Sequence, residues 1–165
     1  MGEKLTQADI DKIQEEIDYR KLTLRPELLA KVKEARAQGD LSENFEYHAA
    51  KSEKNQNDSR IRYLERMLRD ANVIADHFAD DQAGINRKVT IKFEDEDETQ
   101  TFKLVTPIRG QSLEGRISIE SPLGKALLGK RPGEKAQVMT PDGGSYYVEI
   151  TAVVPDDTDD DIRAF

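Results

Sequence analysis

The sequence predicts an α+β protein: an N-terminal antiparallel α-helical hairpin of the coiled-coil kind, followed by a mostly antiparallel β domain embracing one short helix. Three observations carry this. Apolar residues recur at helical spacing up to residue 74 and alternate after it. A single short break rich in helix-stop residues divides the helical part. With 36% hydrophobic and 35% charged residues in 165, core-forming material is thin for one large globule and suits a solvated arm joined to a small domain.

In the first arm the apolar positions are Ile10, Ile13, Ile17, Leu24, Leu28, Val32 and Ala35. Steps of three, four and seven describe a narrow stripe along one helix face. The register slips near Arg25-Pro26, where proline removes an amide donor and should bend or locally open the helix. Gln38-Gly39-Asp40-Leu41-Ser42 then stops it, and so short a connection makes the next helix an antiparallel neighbour. Ile61, Leu64, Leu68 and Ala71 form the second stripe, and Ala50 and Asn57 continue its seven-residue phase. About 30 residues per helix at roughly 1.5 Å each gives an arm on the order of 45 Å. Glu16/Arg20, Glu27/Lys31 and Glu65/Arg69 are helix-supporting pairs four apart.

The expected division is therefore residues 1–75 as hairpin, 76–84 as a polar linker, 85–155 as the β domain and 156–165 as an acidic tail. Alternating segments Lys88–Phe93, Thr99–Val105, Arg116–Glu120, Lys135–Thr140 and Ser145–Val153 read as strands. Glu94–Glu98 is a turn between the first two, and Pro141-Asp142-Gly143-Gly144 a hairpin turn between the last two. Ser121-Pro122, the apolar run to Leu128 and Gly129 spell a complete short helix with cap, first-turn proline and stop. Tyr146 and Tyr147 alternate faces, so one of them should enter the core. Asp156–Asp161 is almost all acid and is expected to lack fixed structure.

Composition bounds the function. Cysteine is absent, which excludes disulfides and Cys-based metal sites. His48 and His77 are far apart, with no second histidine or cysteine near either, so a transition-metal site is not expected. No apolar run reaches membrane-helix length and the first residues lack a signal core, so the expected compartment is the cytoplasm, without membrane contact. The net charge is −8, which disfavours bare nucleic acid. It is uneven, with 14 basic against 15 acidic residues in 1–74 and 11 against 18 in 75–165.

The sharpest segment is Gly39-Asp40-Leu41-Ser42-Glu43-Asn44-Phe45-Glu46-Tyr47-His48-Ala49-Ala50, at the hairpin end. Asp40 and Glu43 have a structural reading, since Asp-x-x-Glu at a helix start is close to a capping box. They also have a chemical one. Mg²⁺ takes oxygen ligands and is often held by one or two carboxylates while keeping waters and substrate phosphates. Two carboxylates make a weak site alone and a useful one where another molecule supplies the remaining ligands. Arg62, Arg66 and Arg69 lie at i, i+4 and i+7 on one face, either as a basic strip for RNA or as a solvated face paired with Glu65 and Asp70.

Ala35-Arg36, Gly39 to Asn44, Glu46-Tyr47 and Ala49-Ala50-Lys51 closely resemble the signature loop of the bacterial Gre transcript-cleavage and elongation factors. Arg25-Pro26-Glu27 and Arg60-Ile61 with Leu64-Glu65 are similar to that family too. So is Ile117-Ser118 followed by Ser121-Pro122-Leu123-Gly124-Lys125-Ala126-Leu127-Leu128-Gly129-Lys130, and the likeness covers most of residues 4–153. The resemblance implies a hairpin that enters the secondary channel of bacterial RNA polymerase, and an FKBP-like C-terminal domain that docks at the channel rim. It implies that Asp40 and Glu43 help hold a Mg²⁺ ion shared with the polymerase, with none tightly bound in the free protein. Leu41, Ser42 and Asn44 would contact the polymerase active centre. Backtracked nascent RNA would then be cut by the polymerase's own activity, with nucleic-acid contact, DNA included, mainly within the elongation complex. Phe45, where alanine is common, and Thr106–Glu114, which does not follow the usual acidic stretch, depart from the family pattern. The alternatives are a channel-binding inhibitor without cleavage stimulation, which need not keep Asp40 and Glu43, and a prolyl isomerase or chaperone using residues 85–155.

Overall fold

A computed structural model describes residues 2–39 and 44–164 of the chain, which divides into two compact units. The first comprises residues 1–2 and 7–72, the second residues 3–6 and 73–165.

Along the chain, β1 (Lys4–Leu5) precedes α1 (Gln7–Tyr19), a π-helical turn (Arg20–Leu24), α2 (Arg25–Ala37) and α3 (Phe45–Arg69). The helical unit is a hairpin in which α1 and α2 pack on α3. Its seam is the predicted stripe: Ile13, Ile17, Leu28 and Ala35 from one arm meet Ala50, Ile61 and Leu64 from the other, all buried. The register slip is a real wide turn immediately before Pro26, where the Arg25 N–H reaches back to the Arg20 carbonyl. The extra residue lets the helix pass a proline that has no amide to donate. Opposite it, buried Asn57 donates from Nδ2 to the same Arg20 carbonyl at 3.2 Å and accepts from Arg20 Nη1 at 2.9 Å. A polar side chain in an apolar seam fixes register, because sliding one arm would leave it unpaired.

Glu16 completes this network. Its carboxylate accepts from Arg60 Nε and Arg20 Nε, both at 2.8 Å. Burial raises its pKa, but the hydrogen bonds from Arg60 and Arg20 outweigh that and hold it below the ordinary glutamate value.

α3 stops earlier than the expected 74. Asp70 closes it and β2 (Asn72–Val73) pairs with β1. Residues 3–6, read as hairpin from the sequence, belong instead to the second unit, where Leu5 is fully buried and its carbonyl accepts the Ile74 N–H at 2.9 Å.

The second unit is built on β3 (Arg87–Phe93), β4 (Thr99–Val105), β5 (Arg116–Ser118), α4 (Pro122–Leu127), β6 (Lys135–Met139) and β7 (Ser145–Pro155). The sheet order is β5-β4-β3-β7-β6, antiparallel throughout except for the β4–β5 pair. Alternation delivers Val89, Ile91, Ala136, Val138, Val148 and Ile150 to one face, where Leu127 of α4 joins them. A bulge after Thr90 admits one extra β7 residue and keeps Ile91 opposite Ile150. Ser121 caps α4 by accepting the Gly124 N–H at 3.0 Å, as its sequence predicts.

Three expectations need correction. Residues 76–84 are not a free linker, because buried Arg87 gathers them. Its Nη2 donates to Asp76 Oδ2 at 2.7 Å and the Phe78 carbonyl at 3.0 Å, and Nη1 donates to the carbonyls of Ala79 and Gln82. Ala83 is fully buried and joined to α4's end by the bonds Ala83 N–H to Lys130 O and Gly129 N–H to Ala83 O, both 2.8 Å. Neither Tyr146 nor Tyr147 enters the core, since both sit beside the turn that closes the β6–β7 hairpin. Tyr146 shares a face with Val138 but remains 36% exposed at the rim beside Phe93, 5.9 Å between ring centres. Finally, Asp156–Asp161 does not trail free, because ion pairs hold it to Lys103 and Arg109.

Candidate functional site

The hairpin end is assembled from the last turn of α2 and the first of α3. Asn44, extended at φ −86° and ψ 93°, is the N-cap of α3. Its Oδ1 accepts the Tyr47 N–H at 2.9 Å, satisfying a donor that the helix itself cannot. The same amide reaches the other arm, where Nδ2 donates to the Ala35 carbonyl at 2.6 Å. That carbonyl also accepts the Gln38 N–H at 3.3 Å as α2 ends. One side chain thus fastens both arms where the connection leaves and returns. Asn44, which the resemblance makes a contact to the polymerase active centre, is thus also the N-cap of α3 and the tie between the arms. The capping reading of Asp40 falls outside the described residues.

Tyr47 provides a second clamp. It is buried, its hydroxyl accepts from Arg36 Nη2 at 3.2 Å, and the Arg36 guanidinium and Lys51 ammonium lie 5.5 and 5.9 Å from its ring centre. The Arg36 hydrogen bond pulls the phenol's pKa below its ordinary value. Ala35 and Ala50, both small and buried, let the arms approach here. Phe45 points outward, 86% exposed.

Asp40, Leu41, Ser42 and Glu43 lie outside the described residues. By sequence they form the connection between α2 and α3. Among the described residues, no three His, Cys, Asp or Glu side chains are grouped to hold a metal ion. Arg62, Arg66 and Arg69 are exposed on α3. Arg62 donates to Ser59 Oγ at 3.1 Å and Arg69 lies 3.8 Å from Asp70. Glu65, expected to pair with these arginines, is taken by Lys21 across the hairpin at 2.8 Å. Sequence reasoning missed the Arg36–Tyr47 clamp and the Glu16–Arg60 pair. The only signal for the latter was Asn57 falling on the apolar phase beside them.

Comparison with known proteins finds matches along most of the chain. Residues 3–73 match the family described as transcription elongation factor, N-terminal, and residues 78–155 match transcription elongation factor GreA/GreB, C-terminal. Transcription elongation factor GreA of Macrococcus caseolyticus is 40% identical over 149 residues, covering 90% of this chain and 94% of its own. The GreA of Streptococcus gordonii is 41% identical over 157 residues, covering 93% and 98%. Among solved structures, GreA factor homolog 1 of Thermus thermophilus is 26% identical over 93% of this chain and 99% of its own, with a TM-score of 0.43. A GreA/GreB factor from Nitrosomonas europaea is 29% identical over 57% and 78%, with a TM-score of 0.41.

Proposed function

The chain belongs to the GreA/GreB family of transcription elongation factors, and from that premise we propose that it rescues stalled bacterial RNA polymerase by stimulating cleavage of backtracked nascent RNA. The observation that supports this most is the construction of the hairpin end. Two long arms converge on a connection containing Asp40 and Glu43, and Asn44 ties the arms together at its mouth. A rod of this kind carries two carboxylates on the order of 45 Å from its base, into a channel too narrow for a globular domain.

Two carboxylates suit a hard divalent cation by donor chemistry but are too few to keep one, so the remaining ligands would come from the polymerase. A Mg²⁺ ion held jointly there supplies Lewis-acid activation of the attacking water and neutralises charge on the phosphodiester. Asp40 and Glu43 contribute negative charge and oxygen ligands, and the arms contribute position. The protein on its own is then not a nuclease. The β domain docks at the channel rim, and the exposed row Arg62, Arg66 and Arg69 faces the RNA. The site of action is the cytoplasm, within the elongation complex.

The test is to add the protein to stalled bacterial elongation complexes and follow transcript length. Wild type should shorten the transcripts, whereas the chain without polymerase should leave RNA intact. Asp40→Asn and Glu43→Gln remove the charge while keeping similar shape. Each should lower cleavage at least about a hundredfold, or roughly 2.7 kcal/mol of barrier, with thermal stability and competition for the channel unchanged. Cleavage by the chain alone, or full cleavage by both variants, would overturn the proposal.

A further inference from the structure

Lys103 on β4 and Arg109 in the following turn are only 5% and 6% exposed. A buried cation needs partners, and the acids that meet these two come from the segment after Pro155. Lys103 Nζ donates to Asp160 Oδ2 and to the Thr158 carbonyl at 2.9 Å, with Asp156 at 3.8 Å. Arg109 Nη1 donates to Asp159 Oδ1 at 2.9 Å and the Asp160 carbonyl at 2.8 Å. Arg116, held by the Arg109 carbonyl at 2.9 Å, lies 4.0 Å from Asp160. At the far end the Arg163 N–H donates to the Ile108 carbonyl at 2.8 Å and the Arg163 side chain pairs with Glu3.

This strap differs from the sheet it lies on. Residues 156–164 have no regular secondary structure. Two backbone amides anchor its ends, to the Asn86 and Ile108 carbonyls. Between them the attachment is made by ion pairs, which salt screens, and by two hydrogen bonds from the same cations to the Thr158 and Asp160 carbonyls. Release that brings the Lys103 and Arg109 head groups into water avoids the penalty of a buried pair that loses one partner. The match to the family's C-terminal half ends at residue 155, where the strap begins.

We propose that Lys103, Arg109 and Arg116 form a docking groove for an extended acidic segment of a partner protein, and that residues 156–163 occupy it in competition. The groove reads peptide as well as charge. It donates to two strap carbonyls, and through the Ile108 carbonyl it accepts a backbone N–H, which a nucleic-acid backbone does not supply. The inference stands apart from transcript cleavage and does not require it.

The probe is a fluorescent peptide of residues 156–164, added to the full-length protein. A tethered strap competes at an effective concentration on the order of millimolar, so wild type should bind the peptide poorly. Asp159→Asn combined with Asp160→Asn should loosen the strap and tighten peptide binding at least about tenfold, and adding Arg109→Gln should abolish the gain. Equal peptide affinity for wild type and the double variant would overturn the proposal. So would equally tight binding of a single-stranded oligonucleotide of matched charge. Hydrogen exchange on wild type gives an independent check that requires no variant to fold. Raising salt from about 50 to about 500 mM should speed exchange of the Arg163 amide at least about tenfold, while the Ile150 amide stays protected. An Arg163 amide as protected as Ile150 at both salt concentrations would make the strap a fixed part of the fold, and the groove would not exist.

Discussion

Asn44 makes two hydrogen bonds from one amide, and they can be separated by substitution. Its Oδ1 caps α3 at 2.9 Å and its Nδ2 crosses to the Ala35 carbonyl at 2.6 Å. Replacing an N-cap asparagine by alanine costs about 1 kcal/mol, and a typical net hydrogen bond is worth about 1 kcal/mol. Asn44→Ala should therefore ease opening of the hairpin end by about 2 kcal/mol. Asn44→Asp keeps a capping oxygen and loses only the donor, so it should cost about 1 kcal/mol. The assay is amide hydrogen exchange across the first turn of α3, beginning with His48, whose N–H bonds the Asn44 carbonyl at 3.1 Å. Local opening of these sizes speeds exchange about 30-fold for alanine and about fivefold for aspartate. Transcript cleavage should fall in the same order, because the connection containing Asp40 and Glu43 loses its anchor. A less than twofold change in exchange for Asn44→Ala, or equal effects of the two variants, would refute the two-bond reasoning.

Other outcomes follow from packing and charge. A Cβ on Gly124 would lie 2.0 Å from the Ser118 carbonyl oxygen and 3.0 Å from the Ile119 Cα, so Gly124→Ala should cost about 3 kcal/mol in urea unfolding; an unchanged midpoint would show that α4 packs less closely. Arg60→Ala removes a buried guanidinium from Glu16 and should cost about 1–3 kcal/mol, read by helix ellipticity against urea. Glu16 has its pKa held below the ordinary 4.5 in the fold, so its contribution is complete above that value and disappears as pH falls through the lower folded value. Glu16→Gln should accordingly be less stable than wild type at neutral pH and converge with it in acid; a pH-independent difference would remove the ion pair from the account.

Much of the architecture was legible because it rests on chemistry within a few residues. The spacing of Ile13, Ile17, Leu28 and Ala35 makes one helix face apolar whatever it packs against. Pro26 lacks an amide in any context, and the wide turn stands immediately before it. Ser121-Pro122 and Pro141–Gly144 likewise act through their own backbone preferences, and α4 and the β6–β7 hairpin lie where they indicate.

What the sequence could not decide were choices between locally equivalent residues. Asp40, Ser42 and Asn44 are all good caps, crowded into five positions. Asn44 is selected because the Ala35 carbonyl of the opposite arm lies within reach of its amide, a fact that exists only once the arms pair. Residues 76–84 look like a linker until Arg87 gathers four of their oxygen atoms. The acids of 156–161 read as a solvated tail until Lys103 and Arg109, more than fifty and close to fifty residues back, are brought beside them with little access to water. By itself the sequence determined the periods and the stops, because these depend on torsions and side chains a few positions apart. Only the tertiary structure decided which cap is used, where the two units divide and what the last acids bind, because a charge or a carbonyl acquires its partner from distant chain, which local sequence does not specify.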